Sequence, residues 1–124
     1  KKINLIVLSF ICFTVAWSQL PLAEKTLKVL DFKIVEGDTL KYIGTAESQN
    51  TKSTGAIAFF FGGGWRGGSY THFQRQALYF SQRGLTSFLF DYRVESRQNT
   101  SPVECIKDAR SALRFLKQNH AIFN

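Results

Sequence analysis

The order of apolar and polar residues divides most of the chain into short segments of strand or helix character. Apolar and polar residues alternate over 26–44 on both sides of a turn at 36–38, which predicts a β-hairpin with one face in the core. Residues 47–55 are polar and predict a surface connection. The continuous apolar run 56–61 is too short for a helix and rich in β-formers, which indicates a buried strand, and residues 85–90 are predicted to form a second buried strand.

Two helices are predicted from apolar residues at helical spacing and from local start signals. Thr71 and Gln74 have the spacing of a capping box, and Gly84 is placed to stop the helix that follows. After a polar loop at 94–100, a second capping box with proline at the first helical position begins a longer helix. The apolar stripe of this second helix consists of Ile106, Ala109, Leu113 and Leu116.

The predicted order is hairpin, strand, glycine-rich turn, helix, strand, loop and helix. Alternation of buried strands with amphipathic helices favours an α/β fold with a mostly parallel sheet and right-handed crossovers. A parallel sheet that stopped at the last helix would leave an edge strand unpaired. We therefore expect residues 19–124 to be the N-terminal portion of one domain that continues beyond Asn124.

The first 18 residues have the pattern of a secretory signal peptide. Lys1 and Lys2 precede an apolar run at 3–17, and Ala16 and Ser18 supply small residues where a signal peptidase reads the chain. We expect cleavage after Ser18, a secreted or periplasmic product, and no stable membrane span afterwards, because the run is short for a bilayer. An uncleaved N-terminal anchor is the alternative.

Charge and cysteine content narrow the possible partners. The chain of 124 residues has a formal net charge of +7, which falls to +5 without Lys1 and Lys2. The basic residues are spread along the sequence without a dense run, so a nucleic-acid partner is not predicted. Cys105 would be the one cysteine of the mature chain and is expected to be a buried apolar side chain. Cysteine and histidine show no metal-ligand spacing, and we expect neither a metal nor another cofactor.

Glycines 62, 63 and 64 directly follow the first buried strand, and such a loop can cradle either a phosphate or an oxyanion. The Gly-Lys-Ser/Thr ending of a P-loop is missing. Gly62, Gly64 and Gly67 do match the dinucleotide-binding spacing, and Asp91 ends the next strand. The predicted helix, however, begins near Thr71, well past the glycines, so the oxyanion interpretation is favoured.

The run from Phe61 to Trp65 resembles the HGGGW motif of hormone-sensitive-lipase-like α/β-hydrolases, and it is also similar to secreted esterases that deacylate plant polysaccharides. The order of elements over residues 27–123 agrees with this family. The resemblance implies that Gly63 and Gly64 donate backbone N–H groups to an oxyanion and that Gly62 shapes the turn. Trp65 would line the acyl or alcohol pocket, or else pack within the loop.

Other residues receive structural roles from the same resemblance. Phe61 stands where the family has a histidine that braces the loop, so we expect bracing from elsewhere. Asp91 and Arg93 belong to an Asp-Tyr-Arg run, with Arg93 tying loops together, and Asp108 is expected to make a buried hydrogen bond. His72 and His120 lie at a helix start and near a helix end, where surface or cap roles are expected.

The nucleophile elbow Gly-X-Ser-X-Gly does not occur in these 124 residues. In the family, the nucleophilic Ser, the Asp or Glu and the His all follow this region, so we expect them beyond Asn124 and expect residues 1–124 alone to be inactive.

The function implied is a serine esterase or lipase acting on carboxylic esters of small molecules or carbohydrates. The alternatives are a non-catalytic binding protein on this fold, a truncated remnant, or a prolyl-oligopeptidase-type serine peptidase. The short hairpin before the core disfavours the peptidase. The sequence leaves the oligomeric state open.

Overall fold

The computed structural model describes residues 27–45 and 55–123, and the predicted signal peptide at 1–18 lies outside these ranges. The strands are β1 (Leu27–Val35), β2 (Asp38–Thr45), β3 (Gly55–Phe60) and β4 (Leu85–Phe90). The α-helices are α1 (Gln74–Ser81), α2 (Glu95–Gln98) and α3 (Pro102–Gln118), with 3₁₀ turns at Tyr70–Phe73 and His120–Ile122.

The hairpin of β1 and β2 is closed by a two-residue turn. Glu36 and Gly37 have φ values of 52° and 87°, the left-handed geometry that matches the twist of paired strands. A bulge between Asp31 and Lys33 interrupts the register of β1. The prediction of one dry face therefore holds for β2 but is wrong for β1, where Ile34 is 75% exposed. The bulge and the edge position of β1 explain the difference.

The strands form one mixed sheet in the order β1-β2-β4-β3. β3 and β4 pair in parallel, whereas β2 pairs antiparallel with both β1 and β4. The predicted α/β class is confirmed, although the sheet over the described residues is mixed rather than mostly parallel. β4 is buried as predicted, but β3 is only half-buried because it lies at an edge of the described sheet.

The two longer helices cover opposite faces of β4. Phe88 and Phe90 point to the face where Ala112 of α3 packs, and Phe115 lies against the same cluster. Leu89 points the other way and packs against Ala77 of α1. Successive side chains of a strand alternate between faces, so β4 forms the centre of both core layers.

Of three local predictions about the helices, two are corrected by the structure and one is confirmed. Ser69, not Thr71, caps the turn Tyr70–Phe73 by accepting a hydrogen bond from the Thr71 amide, and α1 begins only at Gln74. The segment 94–100 is not all loop, because it contains the helical turn α2. The start of α3 is confirmed, with Ser101 and Glu104 forming the capping box.

The buried face of α3 differs from the predicted apolar stripe. Its fully buried residues are Cys105, Asp108 and Ala112, whereas Ile106 and Leu113 are about half exposed. The helix is therefore rotated so that one acidic residue faces inward and part of the apolar stripe faces outward. In the described part of the chain, no helix is both long enough and apolar enough to cross a membrane.

Candidate active site: the glycine loop after β3

The glycine loop leaves the end of β3 in a conformation that most residues avoid. Gly63 and Gly64 have φ values of 136° and 61°. A Cβ atom on Gly63 would overlap the carbonyl oxygen of Gly67, so the loop closes on itself only with glycine at this position. Trp65 also has a positive φ of 64°, an uncommon conformation for a residue with a side chain that the surrounding contacts must hold in place.

The three glycines of the loop expose backbone donors with no side chains to cover them. Gly62, Gly63 and Gly64 are all exposed, and a Cβ atom on Gly62 or Gly64 would meet open space. Within residues 27–45 and 55–123, the N–H groups of Gly63 and Gly64 have no acceptor, while the Gly63 carbonyl accepts from the Arg66 amide at 3.1 Å. Two adjacent free amides of this kind can bind an anionic oxygen. The assignment of Gly62, Gly63 and Gly64 to an oxyanion hole stays a prediction.

Trp65 lines two cavities beside the loop. The larger, of about 420 Å³, is bordered by Gly64, Trp65 and residues at the start of α3. The smaller, of about 220 Å³, lies between Trp65, the ring of Phe61 and the side chains of Cys105, Ile106 and Ala109. Because the indole is about half exposed, it can contact a molecule on either side.

Phe61 is held by Tyr92. Their rings stack with centroids 4.1 Å apart and planes 13° from parallel, and the Tyr92 hydroxyl donates a hydrogen bond of 2.5 Å to the Phe61 carbonyl oxygen. Burial raises the pKa of Tyr92, so the phenol keeps the proton that it donates. Sequence reasoning did not assign Tyr92 a role; its place in the Asp-Tyr-Arg run was the available signal.

The far side of the loop is tied to α2. The amide of Glu95 donates to the Trp65 carbonyl at 3.0 Å, and the amide of Ser96 donates to the Arg66 carbonyl at 2.9 Å. These amides belong to the first turn of α2, where N–H groups have no partner within the helix. The helical turn that was predicted as loop therefore orients the peptide groups that follow the glycines.

Asp91 and Arg97 form an ion pair next to Tyr92. The two guanidinium nitrogens of Arg97 lie 2.7 and 3.1 Å from the Asp91 carboxylate oxygens, and Nη2 also donates to the Tyr92 carbonyl at 3.0 Å. Asp91 in turn accepts a hydrogen bond from the Tyr92 amide at 2.9 Å. Hydrogen bonding to Asp91 raises the pKa of Arg97. Sequence reasoning placed Asp91 in a structural role but missed Arg97.

Arg93 and Asp108 form a second, deeper pair. Asp108 is fully buried and accepts from Arg93 Nε at 2.8 Å and from Lys33 Nζ at 2.6 Å. Arg93 also reaches Glu36 of the hairpin turn at 2.9 Å, so its guanidinium connects β4, α3 and the hairpin. Burial alone would raise the pKa of Asp108, but hydrogen bonds from Arg93 and Lys33 outweigh it, and the net pKa is lowered.

The remaining candidate residues are His72, His120 and Cys105. His72 is exposed and packs edge-on against the Phe61 ring at 6.3 Å between centroids, and His120 lies 3.0 Å from the Lys117 carbonyl. Cys105 is buried as predicted, and burial raises the pKa of its thiol. Across the described residues, no three His, Cys, Asp or Glu side chains are grouped as metal ligands would be.

The fold matches the N-terminal part of an esterase-type α/β-hydrolase. Among solved structures, the chain is similar to those of esterase 2 from Thermogutta terrifontis. The apo form is 36% identical, with a TM-score of 0.71 over 77% of this chain and 36% of the esterase. The propionate-bound form is 36% identical, with a TM-score of 0.70 over 82% of this chain and 37% of the esterase.

A third structure of the same esterase, phosphorylated by paraoxon, is 36% identical with a TM-score of 0.71 over 77% of this chain. This chain therefore spans little more than a third of the length of the esterases that it matches. No protein-family model matches the chain, and no curated protein matches it.

Proposed function

We propose that the protein is a carboxylic ester hydrolase in which the glycine loop supplies the oxyanion hole. The observation that carries this proposal is 36% identity with an esterase over about three quarters of the chain. The amides of Gly63 and Gly64, which have no acceptor among the described residues, support it, because ester hydrolysis needs donors for the oxygen of the tetrahedral intermediate.

In this proposal, Gly63 and Gly64 hold the negative oxygen that forms when a nucleophile attacks the ester carbonyl. Loss of one such donor typically costs about 10²–10³ in rate. Gly62 shapes the turn and, without a side chain, leaves the approach to the donors open. A serine nucleophile, a histidine base and an acidic residue that orients it would complete the reaction. We assign these three to sequence outside residues 1–124.

The substrates that we propose are short-chain acyl esters, including acylated carbohydrates. The named ligand of one matched esterase, propionate, is a short-chain acid. Trp65 would border the acyl or alcohol group, because it lines both cavities beside the loop. Residues 1–18 would direct export, which amino-terminal sequencing of the mature protein would test by finding a start at Gln19.

The test uses the complete gene product that contains these residues. We expect it to hydrolyse p-nitrophenyl acetate and to lose this activity on stoichiometric reaction with paraoxon, which modifies serine nucleophiles. Mass spectrometry should locate the added diethylphosphoryl group on one serine. A complete gene product without ester turnover would overturn the proposal and favour a binding protein on this fold.

A further inference from the structure

The glycine loop is attached on both sides to one short segment of the chain, residues 91–97. On the side before the glycines, the Tyr92 hydroxyl binds the Phe61 carbonyl. On the side after them, the amides of Glu95 and Ser96 bind the carbonyls of Trp65 and Arg66. Peptide groups flanking the glycines are therefore oriented by a segment that is about 30 residues later in the chain.

The ion pair of Asp91 and Arg97 joins the two ends of this segment. Arg97 contacts the carboxylate of Asp91 and the carbonyl of Tyr92, and Asp91 accepts the amide of Tyr92. The backbone of Tyr92 is thus held at both polar groups: Asp91 binds its N–H, and Arg97 binds its carbonyl oxygen. Asp91 is buried, so this pair is only partly screened by water.

We propose that Tyr92 and Arg97 are positioning residues that set the direction of the Gly63 and Gly64 amides, an inference that rests on the proposed esterase function. Tyr92 holds Phe61 by a stacked ring and a hydrogen bond, and Arg97 holds Tyr92. In this arrangement Tyr92 does the bracing that Phe61 cannot do through side-chain hydrogen bonds of its own. In this proposal both residues act through the backbone of the loop rather than on the ester itself.

The test compares variants of the complete gene product. Tyr92→Phe keeps the ring stack and removes the hydroxyl, so we expect kcat for p-nitrophenyl acetate to fall about 10- to 100-fold, with KM changed less than about two-fold. The donors stabilise the transition state more than the bound substrate, so their misplacement should reduce kcat. Tyr79→Phe, at an exposed tyrosine of α1, is the matched control and should leave both constants unchanged.

The Arg97 series adds a graded comparison. Arg97→Lys keeps the charge but loses the bidentate geometry, whereas Arg97→Gln loses both. We expect Arg97→Gln to lower kcat about as much as Tyr92→Phe and Arg97→Lys to retain an intermediate value. Arg110→Gln removes an equal charge from the exposed face of α3 and should have no effect. Equal kcat values for the two Arg97 variants and the Arg110 control would contradict a positioning role.

Hydrogen exchange gives a measurement that does not need ester turnover. In Tyr92→Phe and Arg97→Gln we expect the Glu95 and Ser96 amides, which bind the loop, to exchange about 10-fold faster. The Leu89 amide in central β4 should not change, which separates local loosening from global destabilisation.

If the complete gene product without substitutions has no esterase activity, the proposed function fails. Hydrogen exchange of the Glu95 and Ser96 amides then decides by itself whether residues 91–97 hold the loop. Unchanged exchange would overturn the inference in either case. Faster exchange with unchanged kcat in an active enzyme would also overturn it.

Discussion

Replacement of Asp108 by asparagine should destabilise the protein strongly, because it removes the buried carboxylate that pairs with two cations. Asp108 has no exposed side-chain surface and accepts hydrogen bonds from Lys33 and from the side chain and amide of Arg93. Removal of one partner of a buried ion pair costs about 3–5 kcal/mol. Lys33 is 23% exposed and can regain water, whereas Arg93 is only 4% exposed. Arg93 keeps Glu36, so we expect the lower part of that range, about 3 kcal/mol.

Equilibrium urea unfolding of the complete gene product, followed by circular dichroism, measures this cost. A loss of about 3 kcal/mol corresponds to a midpoint lower by about 1–3 M urea for ordinary m-values. Glu36→Gln is the matched control, because it removes the other carboxylate that contacts Arg93. That carboxylate is 78% exposed, so its loss should cost about 0–1 kcal/mol. Equal destabilisation by the two variants would refute the argument from burial.

Three further predictions concern pH, the loop and the buried thiol. The pKa of Asp108 is lowered in the folded protein. Its contribution to stability is therefore complete above the unfolded pKa of about 4 and is lost as the pH falls through the folded pKa. Acid unfolding of the Asp108→Asn variant should lack this pH-dependent loss of stability. Gly63→Ala should lower both the melting temperature and ester turnover, because the added Cβ overlaps Gly67. Gly62→Ala adds a Cβ in open space and should keep the melting temperature of the parent protein. Equal melting temperatures for the two variants would disprove the steric argument. Cys105 should react with Ellman's reagent only after unfolding, because it is buried and its pKa is raised, and rapid reaction of the native protein would count against this.

Local features of the structure could be predicted where a few neighbouring residues decide the outcome. The turn at Glu36 and Gly37 needs left-handed backbone, and an acidic residue followed by glycine supplies it. The start of α3 depends on hydrogen bonds between Ser101 and Glu104, which are three residues apart. The glycine loop was visible for the same reason, since consecutive glycines after an apolar run have few other uses.

Local patterns were misleading where two nearby residues could do the same task. Ser69 and Thr71 can both cap a helix, and the cap goes to the residue with extended backbone at the entry to the turn, which is Ser69.

The turn α2 lacks an apolar stripe, so its sequence resembles a polar loop. It is stabilised by contacts with the glycine loop, in which Glu95 binds Trp65, rather than by its own periodicity.

What the sequence by itself determined is the order of the elements, the α/β class and the place of the glycine loop after β3. Only the tertiary structure decided that Arg97 holds Asp91, that Tyr92 holds Phe61 and that Lys33 joins Arg93 at Asp108. Turns and caps form between residues a few positions apart, so their chemistry can be read along the chain. The contacts that orient the loop join β3 to residues about 30 positions later, and they exist only because β3 and β4 pair in parallel and end side by side.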